Sequence, residues 1–520
     1  MTDQANLQAV QSPSANYNDL KFYFANLNTM FSIRDVLATD MMINMPQGGL
    51  PHRINEISSI TKRIYAETTT KSVSSLLDQV ESEAENNKQD WSEWDLANLA
   101  EMRRIHSHLS ALPPELYIAS VQISNEGRKM HQAAMKLGDC KQVVPYVQKV
   151  VDTYKKIGDL KQKKFGTASP YRSLLIGYAS DISDRQMDDL YDSLLGPLKD
   201  LYQKALDKQN MQELPKSLEG NFSKTDQMWL NKTVLELMGF DFERGGLFVS
   251  NLSPMMGGHA DDSRVLVRCN EETSFLDSLE DTLYQGARGL YRQNLPQMWK
   301  SQPVGQDQGM IMMNTLSMLF STIIGRTPQF FEFISTRAEG VFRQFKNDSF
   351  DPENLYQLKK VLTRTTQRNQ ADEFSKIFHD ILRYRIERDL INEDLKVEEL
   401  PDRWNAESKE LLDEEPNALQ DGVLQNPDWF TGRFGFIPTN TLSHIMAAEL
   451  QEKLYQTLPN MSDNIVKGDF SDMHEWLSEN IYGQGRLRGT FATMTGLIGH
   501  DISPEPLITH LKRRYLSDKR

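Results

Sequence analysis

Apolar residues recur at intervals of three and four along most of this chain, and that spacing commits it to helices whose apolar faces must find partners. Over residues 276–290 the stripe is Leu276, Leu279, Leu283, Ala287 and Leu290. A second helix is expected from about 310 to 324, and Pro296, Pro303, Gly305 and Gly309 interrupt the pattern between the two as a connection would. The two should pack as an antiparallel pair. Only one region reads as strand: residues 247–250 and 265–269 are short and β-rich, separated by the Pro/Gly segment NLSPMMGGHADDS. Breaks at 113–114, 166–170, 212–220 and 402–416 read as loops inside one body, since no low-complexity linker or fixed-period repeat occurs. The expected fold is mainly α, a large helical body with a small β-sheet element. Residues 1–18 are expected to form a disordered tail and 19–520 a single domain.

The charge balance excludes some functions. With 58 Lys and Arg against 72 Asp and Glu, the net charge of -14 and the lack of a basic stripe argue against nucleic acid as a partner. The polar start MTDQANLQAVQSPSANYN has no signal-peptide pattern, and no stretch approaches the roughly 18 apolar residues of a membrane span. A cytoplasmic location is expected. The two cysteines, Cys140 and Cys269, cannot build a disulfide framework or a cysteine-rich metal site.

Several segments carry a resemblance. DMMINMPQGG (40–49) is similar to W-D-x-x-T-x-M-P-x-G-G, and WDLANLAEMRRIH (94–106) to W-D-x-A-N-L-x-x-x-R-R. GFDFERGGLFVS (239–250) resembles G-F-D-x-x-x-G-R-L-D-x-S, and Asp262 to Leu266 stand at D-x-R-x-T, with Leu266 for the Thr. YQGARGLYRQNLP (284–296) lies without gaps on H-E-x-G-H-A-L-Y-E-Q-x-L-P, and NTLSMLFSTIIGR (314–326) on E-S-x-S-R-L-W-E-N-x-x-G-R. RNQADEFSKIFHDILRYRIE (368–387) resembles R-x-x-A-D-E-V-T-Y-N-L-H-I-x-L-R-x-E-x-E. GVLQNPDWFTGRFGFIPTNTL (422–442) resembles G-V-L-Q-D-x-H-W-S-x-G-x-F-G-Y-F-P-T-Y-x-L. By these motifs the chain resembles the carboxypeptidase Taq family of zinc metallocarboxypeptidases from about residue 20 to its end. The resemblance implies a helical body with a deep central groove and, by analogy, a homodimer.

Peptide hydrolysis by zinc needs three protein donors and an open position for water, commonly two His at i and i+4 on a helix followed by a carboxylate from elsewhere. A Glu after the first His takes the proton of the metal-bound water. At the positions matching the family's motif, Tyr284 and Arg288 replace the two His, Gln285 the base and Asn314 the third ligand. Tyr284 is a neutral phenol near pH 7, Gln285 is no base and Asn314 carries no charge. A guanidinium about 4 Å from Zn²⁺ is repelled by roughly 8 kcal/mol at an effective dielectric of about 20. The resemblance implies zinc, and these replacements predict its absence. The outer motifs change too: Leu252, Ser253 and Pro254 fill the stretch of H-P-F, Asn426 and Asp428 replace the Asp and His of Q-D-x-H-W, and Tyr482 ends what is E-N-I-H in the family.

Arg264, Arg368, Asp372, His379, Gln425 and Trp429 keep the family's residue types and are the candidate ligand-binding set. Arginines of this region suit the bidentate grip of a peptide's terminal carboxylate. Structural readings stand beside that one: Arg264 and Arg368 paired with acids such as Asp262 or Asp372, and His379 as a hydrogen-bonded core histidine. His259, with Asp261 and Asp262, is a weak substitute metal cluster. The expectation is a non-catalytic carboxypeptidase-like protein that binds peptide C-termini or small anions. A peptidase with residual or altered activity and a purely structural or partner-binding protein are the other readings.

Overall fold

The computed structural model describes residues 13–517 other than 180, 183, 251–254, 273 and 344–347. Most of the expected tail, residues 1–12, lies outside the described residues, and Ser14 caps a helix that already begins at Ala15. The chain is mainly helical with one three-stranded sheet, as the periodicity implies. No helix among the described residues is long and apolar enough to cross a membrane.

The stripe of Leu276, Leu279, Leu283, Ala287 and Leu290 is buried along the helix Phe275–Gln293, which Ser274 caps through the Leu276 amide. The second helix spans Met310–Met318 and widens into a π-helical stretch, Leu319–Ile324. The pair is antiparallel. The Tyr291 hydroxyl accepts from the Gln308 amide at one end, Arg288 reaches Ser317 in the middle, and Arg326 pairs with Glu280 at the other. The helix Pro438–Thr457 packs on Met310–Met318, and Glu373–Ile391 packs on Pro438–Thr457 in turn. These four elements are the frame of the site.

The strands differ from expectation in extent and number. β1 is Gly245–Val249, β2 Met255–His259 and β3 Asp262–Val267, in the order β1-β3-β2. β3 pairs parallel with β1 and antiparallel with β2, so the glycine-rich segment expected to be a connection contains a strand. Gly257 and Gly258 make that strand fit: a Cβ on Gly257 would overlap Thr39 of the helix Ala15–Ile43, and Gly258 turns with a positive φ at the hairpin. A second correction concerns 402–416, read as a loop. The helix Leu400–Leu412 occupies most of it, since Pro401 sits in the first turn, where no amide is needed, and Trp404, Leu411 and Leu412 are buried.

Two hydrophobic clusters form the interior. One unites residues from Leu112 to Tyr515; the other, smaller, is built from Tyr17, Leu20, Phe24, Leu77, Met102 and their neighbours in the N-terminal helices. The first N-terminal helix lies against β2.

Candidate functional site

One helical turn separates Tyr284 from Arg288, which puts both side chains on the same side of the helix Phe275–Gln293, toward the helix Met310–Met318. Both are half-buried, while Asn314 opposite them is fully buried. The Arg288 Nη2 donates to the Tyr284 hydroxyl at 3.1 Å and to the Asn314 Oδ1, and its Nε donates to the Ser317 hydroxyl at 3.0 Å. The Tyr284 hydroxyl is 3.4 Å from Asn314 Oδ1, and the guanidinium lies 4.7 Å from the centre of the tyrosine ring. Tyr284, Arg288 and Asn314 therefore meet as the alignment predicts. All acceptors of Arg288 are neutral, and among the described residues no carboxylate lies within ion-pair distance of it.

The contact continues into the frame. Asn314 Nδ2 donates to Asn440 Oδ1 at 3.2 Å, and Asn440 Nδ2 lies 3.5 Å from Asp380 Oδ1. The same Asp380 oxygen accepts from Arg368 at 2.9 and 3.1 Å. A single hydrogen-bonded line thus joins Arg288 to Arg368 through three other side chains. Burial works against the Arg368 charge, and the Asp380 carboxylate outweighs it, holding the guanidinium above its ordinary range.

The remaining candidates divide between this line and the supporting core. Arg264 makes two parallel bonds of 2.8 Å to Asp262 and is self-neutralised, as the structural reading expects. The acid of Arg368 is Asp380, one turn before Tyr384, and Asp372 is spent elsewhere: it caps the helix Glu373–Ile391 through the Ser375 amide and also accepts from Thr363 N. His379 is fully buried with its Nε2 3.3 Å from the Thr365 carbonyl oxygen; burial, then the Arg368 charge, pull it down to about 3, so it stays neutral. Gln425 straps two loops, donating to Thr366 O and Asp421 O and accepting from Arg368 N. Trp429 is buried edge-to-face against Trp404, 5.7 Å between ring centres. Gln285 is buried, and its side-chain oxygen has no hydrogen-bond partner.

The outer replacements also have structural partners. Asn426 and Asp428 both accept from the buried Arg383, the latter at 2.6 Å. Tyr482 is buried against Tyr291. Leu252, Ser253 and Pro254 lie outside the described residues. His259 Nδ1 accepts from the Asp261 amide, Lys300 takes Asp261 and Arg264 takes Asp262, so the loop cluster is already committed. Among the described residues no three His, Cys, Asp or Glu side chains gather as a metal ion would require.

Ser317, Asp380 and Asn440 belong to the site and were not singled out by sequence. Asn440 had a signal: it stands where the resembling F-P-T-Y-x-L pattern has a tyrosine, and an amide there both accepts from Asn314 and reaches Asp380. Asp380 had none, because its charge reads as an ordinary helical acid until the fold brings Arg368 across it.

Comparison with known proteins agrees with the motifs. Residues 19–515 match the family described as carboxypeptidase Taq (M32) metallopeptidase. The chain is 23% identical over 490 residues to thermostable carboxypeptidase 1 of Pyrococcus furiosus, covering 93% of this chain and 95% of that protein. Its fold superposes on Trypanosoma cruzi metallocarboxypeptidase 1 with a TM-score of 0.91 at 25% identity, covering 96% of this chain and 99% of the other. The M32 carboxypeptidase of Deinococcus radiodurans gives 0.89 at 22% identity, covering 96% and 99%.

Proposed function

The chain belongs to the carboxypeptidase Taq (M32) metallopeptidase family, and from that premise we propose that it is a member without metal-dependent peptidase chemistry, which holds an anionic group at Arg288. The observation that supports this is the position of the Arg288 guanidinium. Tyr284 Oη and Asn314 Oδ1 are 3.4 Å apart. That is about the separation of two donors each roughly 2.1 Å from one tetrahedral ion. Arg288 Nη2 bonds to both of these oxygens, so a cation already stands in the space such an ion would take. A guanidinium has no lone pair to offer a metal, a phenol and a carboxamide are poor zinc donors, and Gln285 cannot accept a proton from water. The residues present do not fit zinc.

What they fit is an anion. Arg288 carries a full charge that only neutral oxygens contact, in an otherwise acidic protein, whereas Arg264 and Arg368 each have their own carboxylate. A carboxylate approaching Arg288 would supply the missing countercharge, and a peptide C-terminus is the carboxylate that a carboxypeptidase groove admits. The same reading takes residues 19–520 as one helical domain, homodimeric and cytoplasmic by analogy, with neither nucleic acid nor membrane as partner.

The test compares two peptides of one sequence, with free and with amidated C-terminus, by thermal shift. The free form should raise the melting temperature by mass action, the amidated form should not, and R288A should abolish the difference. Equal shifts from both peptides, or none from either, would refute carboxylate recognition.

A further inference from the structure

Lys161 stands near the end of the helix Cys140–Phe165, which carries none of the residues around Arg288. Its side chain is half-buried. One turn before it Ile157 is buried, and one turn after it the Phe165 ring lies 4.6 Å from the ring of His108 on the helix Glu93–Ser110. Lys161 is therefore wedged against the end of a neighbouring helix.

What that position lacks is an acid. Among the described residues the Lys161 amine has no hydrogen bond and no carboxylate within ion-pair distance, yet its nitrogen reaches solvent. The carboxylate on the facing helix, Glu101, is already held by Arg104 at 2.7 Å and by Arg486 at 3.1 Å. The surplus positive charge is felt next door: burial first, and then the charges of Lys161 and Arg104, pull His108 down to about 4 despite Glu101.

A lysine at a protein surface ordinarily lays its stem on apolar neighbours and carries the ammonium out to water or to an acid. Lys161 keeps the stem in place with no acid to meet, and burial pulls its amine down to about 8. An amine desolvated in this way, or set beside other cations, is the kind that adds to carbonyl groups. The exposed Lys163 and Lys164 in the last turn of the same helix make the approach positive in a chain of net charge -14. Such an approach favours an anionic carbonyl compound over a neutral one.

We propose that Lys161 is a covalent binding site for small oxo acids. The amine nitrogen attacks the carbonyl carbon, its two protons leave with the carbonyl oxygen as water, and a C=N bond joins the lysine to the ligand. The site is independent of Arg288 and of any hydrolysis in the groove.

The experiment treats the full chain with glyoxylate and, separately, with propanal, in the presence of cyanoborohydride to trap the imine, and maps every modified lysine by mass spectrometry of peptides. Lys163 and Lys164 are the internal standards. At pH 7 about one Lys161 amine in ten is neutral, against about one in 2,500 for an ordinary lysine. A less basic amine attacks more slowly, so at least a tenfold faster modification of Lys161 than of Lys163 and Lys164 is the expected remainder. The ratio of glyoxylate to propanal modification should also be at least threefold higher at Lys161 than at the exposed Lys88. K161R should remove this modification and leave that of the other lysines and the melting curve unchanged. A smaller excess at Lys161 in either comparison would overturn the proposal.

Discussion

If the guanidinium of Arg288 is what bars a metal ion, then adding zinc donors around it should fail until it is removed. Two variants share Y284H and N314E, and one of them also carries R288A. In the structure Arg288 Nη2 is 3.1 Å from Tyr284 Oη and hydrogen-bonded to Asn314. An ion held by donors at these two positions would thus lie within about 4 Å of the charge. For a divalent ion that is roughly 8 kcal/mol of repulsion at an effective dielectric of about 20, nominally about six decades of affinity. An arginine able to swing toward water relieves much of this, and roughly 3 kcal/mol, about a hundredfold, is the expected floor. The carboxylate that N314E introduces pairs with Arg288 and widens the gap further, because zinc must then break an ion pair. Competition against a chromogenic zinc chelator reads the difference directly. The arm with alanine at 288 adds no donor, so any gain comes from losing the charge, while R288H in the same background adds the third donor and should bind one zinc per chain. Equal zinc affinity with and without Arg288 would refute the argument.

Two other outcomes follow from buried charge. R383A leaves Asp428, 9% exposed, without its 2.6 Å partner and with only the more exposed Arg433, at 3.6 Å, as countercharge, and should cost about 3 kcal/mol in chemical denaturation. Glu387 is fully buried; burial first, and then the charge of Asp428, push it up to about 8 despite Arg383. Its folded value exceeds its unfolded one, so the stability it allows is complete below about pH 4.5 and falls by about 1.4 kcal/mol per pH unit until about pH 8. E387Q should flatten the denaturation midpoint across that window, and an unchanged slope would show that Glu387 does not titrate there.

Much of the frame was legible because burial writes itself into spacing. The stripe from Leu276 to Leu290 had to be helix, and its register carried Tyr284 and Arg288 to the correct side without any knowledge of what faces them. Asn314 followed from its place in the matching second helix. Two errors came from reading breakers too literally: most of 402–416 is helix, with Pro401 in its first turn, and within a strand Gly257 is demanded by the close approach of Thr39 and Gly258 by its positive φ. Partner choice was the least legible part. Arg368 has Asp372 four residues away and Asp380 twelve away, and only the capping of the helix by Asp372 sends the guanidinium to the farther acid. The line through Asn440 depends on a helix more than a hundred residues beyond Asn314, a distance no periodicity reports.

Elemental analysis of the purified wild-type chain, after exposure to equimolar zinc and gel filtration, is the most direct test of whether this family member has lost its metal chemistry. The account predicts less than about 0.1 zinc per chain, with no release of C-terminal amino acids from peptides in the presence of added Zn²⁺ or Co²⁺. One zinc per chain that disappears on substitution of Tyr284, Arg288 or Asn314 would contradict it.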